Sequence, residues 1–77
     1  MAESRITTNP AILGGKPCVR GTRISVEFIL ELIASGATSQ EIVQTYPQLH
    51  KEDVNAAVRF AAAYMRRDDL LELEIYR

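Results

Sequence analysis

The stretch Gly14-Gly15-Lys16-Pro17-Cys18-Val19-Arg20-Gly21-Thr22-Arg23-Ile24 sets the terms for everything after it. Its eleven residues hold three glycines, one proline and three cations. Glycine opens backbone angles with positive φ, and proline fixes φ while removing a donor, so the segment is held to one irregular path and cannot form a helix. From Val26 onward the chain reads as helix almost to its end. The expectation is a mainly α domain carrying an N-terminal irregular arm or short β-hairpin.

Within the arm, Arg5-Ile6-Thr7 is a short β-competent piece that stops at the turn signal Asn9-Pro10, where the asparagine is biased away from helix. Ala11-Ile12-Leu13 adds a small apolar patch. Cys18-Val19 and Thr22-Arg23-Ile24 flank Arg20-Gly21 and predict a tight turn between two very short strands. A two-stranded hairpin is marginal alone, so the arm, residues 1–24, must lie on the helices or on a second subunit.

The first helix is expected from about Ser25 to Ser35, with Ser25 as N-cap, Glu27 and Glu31 toward its positive end and Gly36 as its stop. Val26, Ile29, Leu30 and Ile33 make a core stripe, and Phe28 and Leu32 a second apolar pair on a neighbouring face. Such a wide apolar surface fits either a central helix in a monomer or one covered by a dimer contact. A short second helix runs from roughly Ser39 to Tyr46, where Thr38-Ser39-Gln40-Glu41 matches the capping box and Pro47 ends it. Ile42, Val43 and Tyr46 point inward.

The third helix is the longest, from about Lys51 through Arg67. Its inward stripe is Val54, Ala57, Val58, Ala61 and Met65, widened by Phe60 and Tyr64, and its alanines permit close approach of another helix. His50 stands in the N-cap position with Asp53 three residues on. It has no local companion as a metal ligand and no nearby nucleophile as a base. On the far side, Lys51, Asn55 and Arg59 recur at i, i+4, i+8. Arginine reads guanine, asparagine reads adenine and lysine takes phosphates, so this row suits a nucleic-acid contact. A helix, a short helix, a tight connection and a longer helix with a polar face is the layout of a three-helix helix-turn-helix domain, residues 25–67. Three helices with short loops are also a simple way to bury a small core, and Glu52 and Asp53 oppose phosphate contact at the start of the helix.

A core of this size is marginal on its own, because the chain has 77 residues. One cysteine and one histidine supply neither a disulfide nor a metal site, which leaves a homo-oligomer, a dimer in the first instance, or a partner protein as the supplement. Net charge is −1, yet unevenly spread: through Val26 there are four cations (Arg5, Lys16, Arg20, Arg23) against Glu3, and the remainder carries nine acids against five cations. Lys16, Arg20 and Arg23 therefore either touch a DNA backbone or pair with acids such as Glu27 and Glu31. No apolar run reaches the length of a membrane span, and the start Met1-Ala2-Glu3-Ser4-Arg5 lacks a signal peptide's apolar core, so a cytoplasmic location is expected.

Gly14-Gly15-Lys16 lacks the spacing of a nucleotide-binding loop and no serine or threonine follows the lysine. The sequence offers no nucleophile with a base, no paired carboxylates and no metal set, and Cys18 between Pro17 and Val19 reads as a small packed residue. The expectation is a protein that is not an enzyme and takes no cofactor.

Asn9-Pro10, Gly14-Gly15-Lys16-Pro17, Arg20-Gly21-Thr22-Arg23-Ile24 with Val26, Gly36-Ala37-Thr38, Tyr46-Pro47-Gln48-Leu49 and Glu52-Asp53-Val54 occur in that order across residues 6 to 65. Together they resemble the bacterial and archaeal domain-of-unknown-function family 433, in which threonine or serine often stands where this chain has His50. The resemblance implies a compact helical fold, winged-helix-like or of the helix-turn-helix kind. Some members look like antitoxins of toxin-antitoxin pairs, partnered by a PIN-like ribonuclease toxin, which implies a small regulatory protein that binds DNA, neutralises a toxin, or both. The alternative is a homo-oligomeric protein-interaction module without a nucleic-acid role.

Under the antitoxin reading the tail, residues 68–77, gains a use. From Leu71 it alternates apolar and acidic, a period suited to an added strand. Leu71, Leu73 and Ile75 would bury against a nuclease while Glu72 and Glu74 approach its basic groove or metal site. The plainer expectation is a terminus that folds back on its own core or on a dimer mate.

Overall fold

The computed structural model describes residues 4–66. Ile6–Thr7 (β1) pairs antiparallel with Cys18–Val19 (β2), placing Ile6 opposite Val19 and Thr7 opposite Cys18. The expected pairing of Cys18-Val19 with Thr22-Arg23-Ile24 is not the one that forms a sheet. The turn between them does form: the Thr22 N–H donates to the Val19 carbonyl at 2.9 Å, with Gly21 at φ 83° in the third position, where a side chain would be strained. Beyond the turn, the Thr22 hydroxyl accepts the Ile24 N–H at 3.0 Å and donates to the Val19 carbonyl at 2.9 Å. A side chain thus takes up groups that a ladder would use, leaving the Val19 N–H to Ile24 carbonyl bond of 2.9 Å and a single bridge between Cys18 and Ser25.

The loop from β1 to β2 makes two reversals. Asn9 accepts the Ala11 N–H on its side chain at 2.9 Å and the Ile12 N–H on its carbonyl at 2.8 Å, forming the turn that the Asn-Pro pair predicts. Leu13–Gly15 then follow a 3-10 turn at φ 52°, 64° and 90° in succession. Two glycines accept this left-handed path at little cost, whereas the exposed Leu13 enters it against roughly 1–2 kcal/mol.

Three helices follow: α1 (Val26–Ala34), α2 (Ser39–Thr45) and α3 (Lys51–Arg66). The Ser25 hydroxyl accepts the Phe28 N–H at 2.9 Å and starts α1, and Gly36 lies just past its C-cap, Ser35. The capping box of α2 is complete, with Thr38 Oγ1 accepting the Glu41 N–H at 3.1 Å and Glu41 Oε1 accepting the Thr38 N–H at 2.9 Å. At the start of α3 the capping contact comes from Asp53, whose Oδ2 accepts the His50 N–H at 2.8 Å, and not from the imidazole. Arg67 and the tail, including Leu71, Leu73 and Ile75, lie outside the described residues.

The core gathers Ile6, Val19, Ile24, Val26, Ile29, Ile42, Leu49, Val54, Ala56 and Ala57 from the sheet, all three helices and the connections before α1 and α3. Ile29, Ile42, Val54 and the neighbouring Cys18 are the largest fully buried side chains, and each large aliphatic among them contributes roughly 1.5–3 kcal/mol. On α1, Val26 and Ile29 are buried as expected. Ile33 is 36% exposed, while Phe28 and Leu32 pack against the core, Phe28 with its ring edge-on to Tyr46 at 5.5 Å. On α3 the stripe is turned from the expected one: Asp53 and Ala56 are buried and Val58 is 43% exposed. The side-chain-poor surface of Ala56 and Ala57 lets the partnering elements come close, which a valine facing them would prevent.

Candidate nucleic-acid face and an apolar groove

Asp53 lies on the inner face of α3, with Val54, Ala56 and Ala57. Arg5, at the head of β1, donates from Nη1 to Asp53 Oδ1 at 2.9 Å, so this carboxylate is neutralised within the fold. Of the two acids that open α3, Glu52 alone is exposed. Lys51, Asn55 and Arg59 are all exposed and fall on the face away from the buried Val54 and Ala57, as their spacing predicts.

The arm cations part company. Arg20 is tied to the strand beside it: its backbone N–H donates to the Arg5 carbonyl and its Nε to the Ser4 carbonyl, both at 2.8 Å. Because Arg5 also reaches Asp53, Arg20 is brought to the same end of the molecule as the first turn of α3. Lys16 is engaged elsewhere, 3.1 Å from Glu27 on the first turn of α1. Both members of that pair are well exposed, so it is worth little on its own. Arg23 is exposed, and among the described residues no ion pair or side-chain hydrogen bond holds it.

A second feature has no counterpart in the sequence-based expectations. The stripe Val54, Ala57, Ala61, Met65 begins fully buried and ends with Met65 at 48% exposure. The reason is length: at 1.5 Å per residue α3 runs for about 24 Å against about 14 Å for α1, and its last turns pass beyond the body they pack on. What remains beside them is an open groove of about 520 Å³. One wall is Val26, Leu30 and Ala34 of α1, the other is Phe60, Ala61, Tyr64 and Met65 of α3, and Lys16, Pro17, Glu27 and Glu31 complete the lining. Phe60 and Tyr64 stack with centroids 6.4 Å apart, and Tyr64 is 57% exposed.

Among the described residues no group of three or more histidine, cysteine, aspartate or glutamate side chains converges as a metal site. Nor is any helix there long and apolar enough to cross a membrane.

Comparison with known proteins places the geometry in a family. The chain is 36% identical over 62 residues to the Sinorhizobium fredii protein named "Uncharacterized protein y4eO", an alignment covering 80% of this chain and 28% of that one. It therefore spans well under a third of that relative's length. The fold matches a crystal structure of a DUF433 member protein from Anabaena variabilis with a TM-score of 0.71 at 30% identity, over 95% of this chain and 69% of the other. Residues 6–61, from β1 into the second half of α3, match the family model described as "Protein of unknown function (DUF433)", and the chain belongs to that family.

Proposed function

We propose that this chain is a small, non-enzymatic regulatory module of the antitoxin kind that meets DNA along the outer face of α3. The observation that supports it is the exposed row Lys51, Asn55, Arg59, beside which Glu52 is exposed while Asp53 is turned inward onto Arg5. The short α2, the connection through Pro47 and the longer α3 follow the helix-turn-helix order, in which the start of the last helix enters the major groove. Arg20 at the same end is positioned for a backbone phosphate. The partner this reading supplies is a PIN-like nuclease, and the cell compartment is the cytoplasm.

Fluorescence anisotropy with duplex DNA from upstream of the protein's own gene tests the reading. Affinity should fall steeply as salt rises, and Asn55→Ala should lower it for that duplex by more than for a random one. Lys51→Ala should weaken both alike. Binding that ignores salt, or no binding at low salt, sinks the DNA reading.

The apolar groove favours a second reading, a protein-docking module. In that case Leu30→Asp removes association with the partner protein while leaving DNA affinity unchanged, a result opposite to that of Lys51→Ala.

A further inference from the structure

We propose that the groove between α1 and α3 is filled by α3 of a second copy of this chain, giving a twofold dimer in which each copy covers the other's groove. Three of the five exposed large apolar side chains, Val58, Tyr64 and Met65, lie on α3, and it is their concentration on one helix, not their exposure singly, that marks a contact surface. Val58, Ala61, Ala62 and Met65 recur at i, i+3, i+4, i+7 and form a stripe along the flank of α3 beside the groove, exposed except for the half-buried Ala61. The groove itself continues the core outward from Val26, which is buried, to Leu30, which is half-buried. An apolar hollow and an apolar ridge on one molecule make a self-complementary surface, the requirement for a twofold contact.

Length and charge favour this occupant over an unrelated helix. The stripe from Val58 to Met65 covers about 10 Å, and the α1 wall from Val26 to Ala34 about 12 Å. With the axis between Ala61 and Ala62, the two α3 helices run antiparallel and Val58 of each copy faces Met65 of the other. The alanine methyls let the helix axes approach to about 8 Å, the close end of the usual range. Glu31 on the α1 side of the groove and Arg66 in the last turn of α3 are both exposed, and among the described residues no ion pair holds either. Lys16 and Glu27 already pair with each other. In the dimer Arg66 of one copy meets Glu31 of the other, twice by symmetry. Lys51 and Asn55 lie in the first half of α3, outside the contact. The inference rests on the docking reading, whose occupant it names, and leaves the DNA reading untouched. Eleven residues line the groove, against about 20–30 on each side of a standard interface, so the dimer is a weak one.

Sedimentation velocity of the full chain from about 1 μM to about 1 mM tests it. The mass should double across that range. Met65→Asp should leave a monomer at every concentration while its helical circular dichroism persists. Glu31→Arg alone and Arg66→Glu alone should each raise the dimer Kd about tenfold, and the two together should bring it back near the unaltered value. A folded Met65→Asp variant that still dimerises, or a double charge reversal that restores nothing, places the contact elsewhere and overturns the proposal. A chain that stays monomeric to about 1 mM overturns it too, leaving the groove to another protein or to another part of the same chain. If Leu30→Asp then still abolishes association with another protein, the docking reading survives and this inference alone fails.

Discussion

Arg5 and Asp53, separated by 48 positions, meet through Nη1 and Oδ1 at 2.9 Å and fasten the head of the sheet to the first turn of the last helix. The same carboxylate accepts the His50 N–H on its other oxygen, so one buried side chain docks the arm and starts α3. Its burial leaves Glu52 as the exposed acid of the first turn of α3.

Removing the two partners should not cost the same. Asp53→Ala strands a guanidinium and leaves the His50 N–H without its acceptor, an expected loss of about 2–3 kcal/mol. Arg5 is 42% exposed at its side chain, so water takes over part of its role and Arg5→Ala should cost about 1 kcal/mol. Urea denaturation of both variants measures this. Equal losses below about 0.5 kcal/mol would show that the pair holds nothing together.

The helix caps offer a second measurement. Ser25→Ala removes the acceptor for the Phe28 N–H and Thr38→Ala breaks the capping box of α2, each with an expected cost of about 1 kcal/mol. The sites start different helices and share no hydrogen bond, so the double variant should lose about the sum. A clear shortfall in thermal unfolding would mean that one helix is already frayed in the native state.

At the turn joining β2 to α1, Gly21 has φ 83° and open space where a Cβ would sit. Any penalty for a side chain there is therefore backbone strain rather than collision. Gly21→Ala should cost roughly 1–2 kcal/mol, and Gly21→Asn less, since asparagine tolerates the left-handed region better. Equal losses from both substitutions would point to a clash in place of strain.

Local chemistry made much of this fold legible. Ser25, Thr38, Glu41 and Gly36 announce helix ends because a cap is a contact among near neighbours in sequence. The strand partner of Cys18-Val19 was less legible, since the turn at Arg20-Gly21 points to Thr22-Arg23-Ile24 while the Thr22 hydroxyl takes over bonds that such a strand would need. The register of α3 was misread for a similar reason. Period alone favours Val58 over Asp53 for the inside, and the buried aspartate is made acceptable by the distant Arg5 together with the His50 N–H. The polar row Lys51, Asn55, Arg59 could be read from its spacing, whereas the groove depends on how far α3 outruns α1, which no single segment encodes.

Cys18 reports on the arm as a whole. It lies in β2, opposite Thr7 of β1, and its side chain is completely buried, so a thiol reagent reaches it only after the structure around it opens. In native buffer the reaction with an aromatic disulfide reagent should be slow and should accelerate with urea. Arg5→Ala should speed it by about fivefold, the factor that corresponds to a loss of 1 kcal/mol in closing the arm, if the arm opens apart from the helices. Were the thiol to react at the rate of an unfolded peptide in the unaltered protein, the sheet would not be a stable part of the fold. If Arg5→Ala instead changed labelling only in step with global unfolding, arm and helices would form a single cooperative unit, with the Gly14 to Ile24 path as much a part of the core as α1.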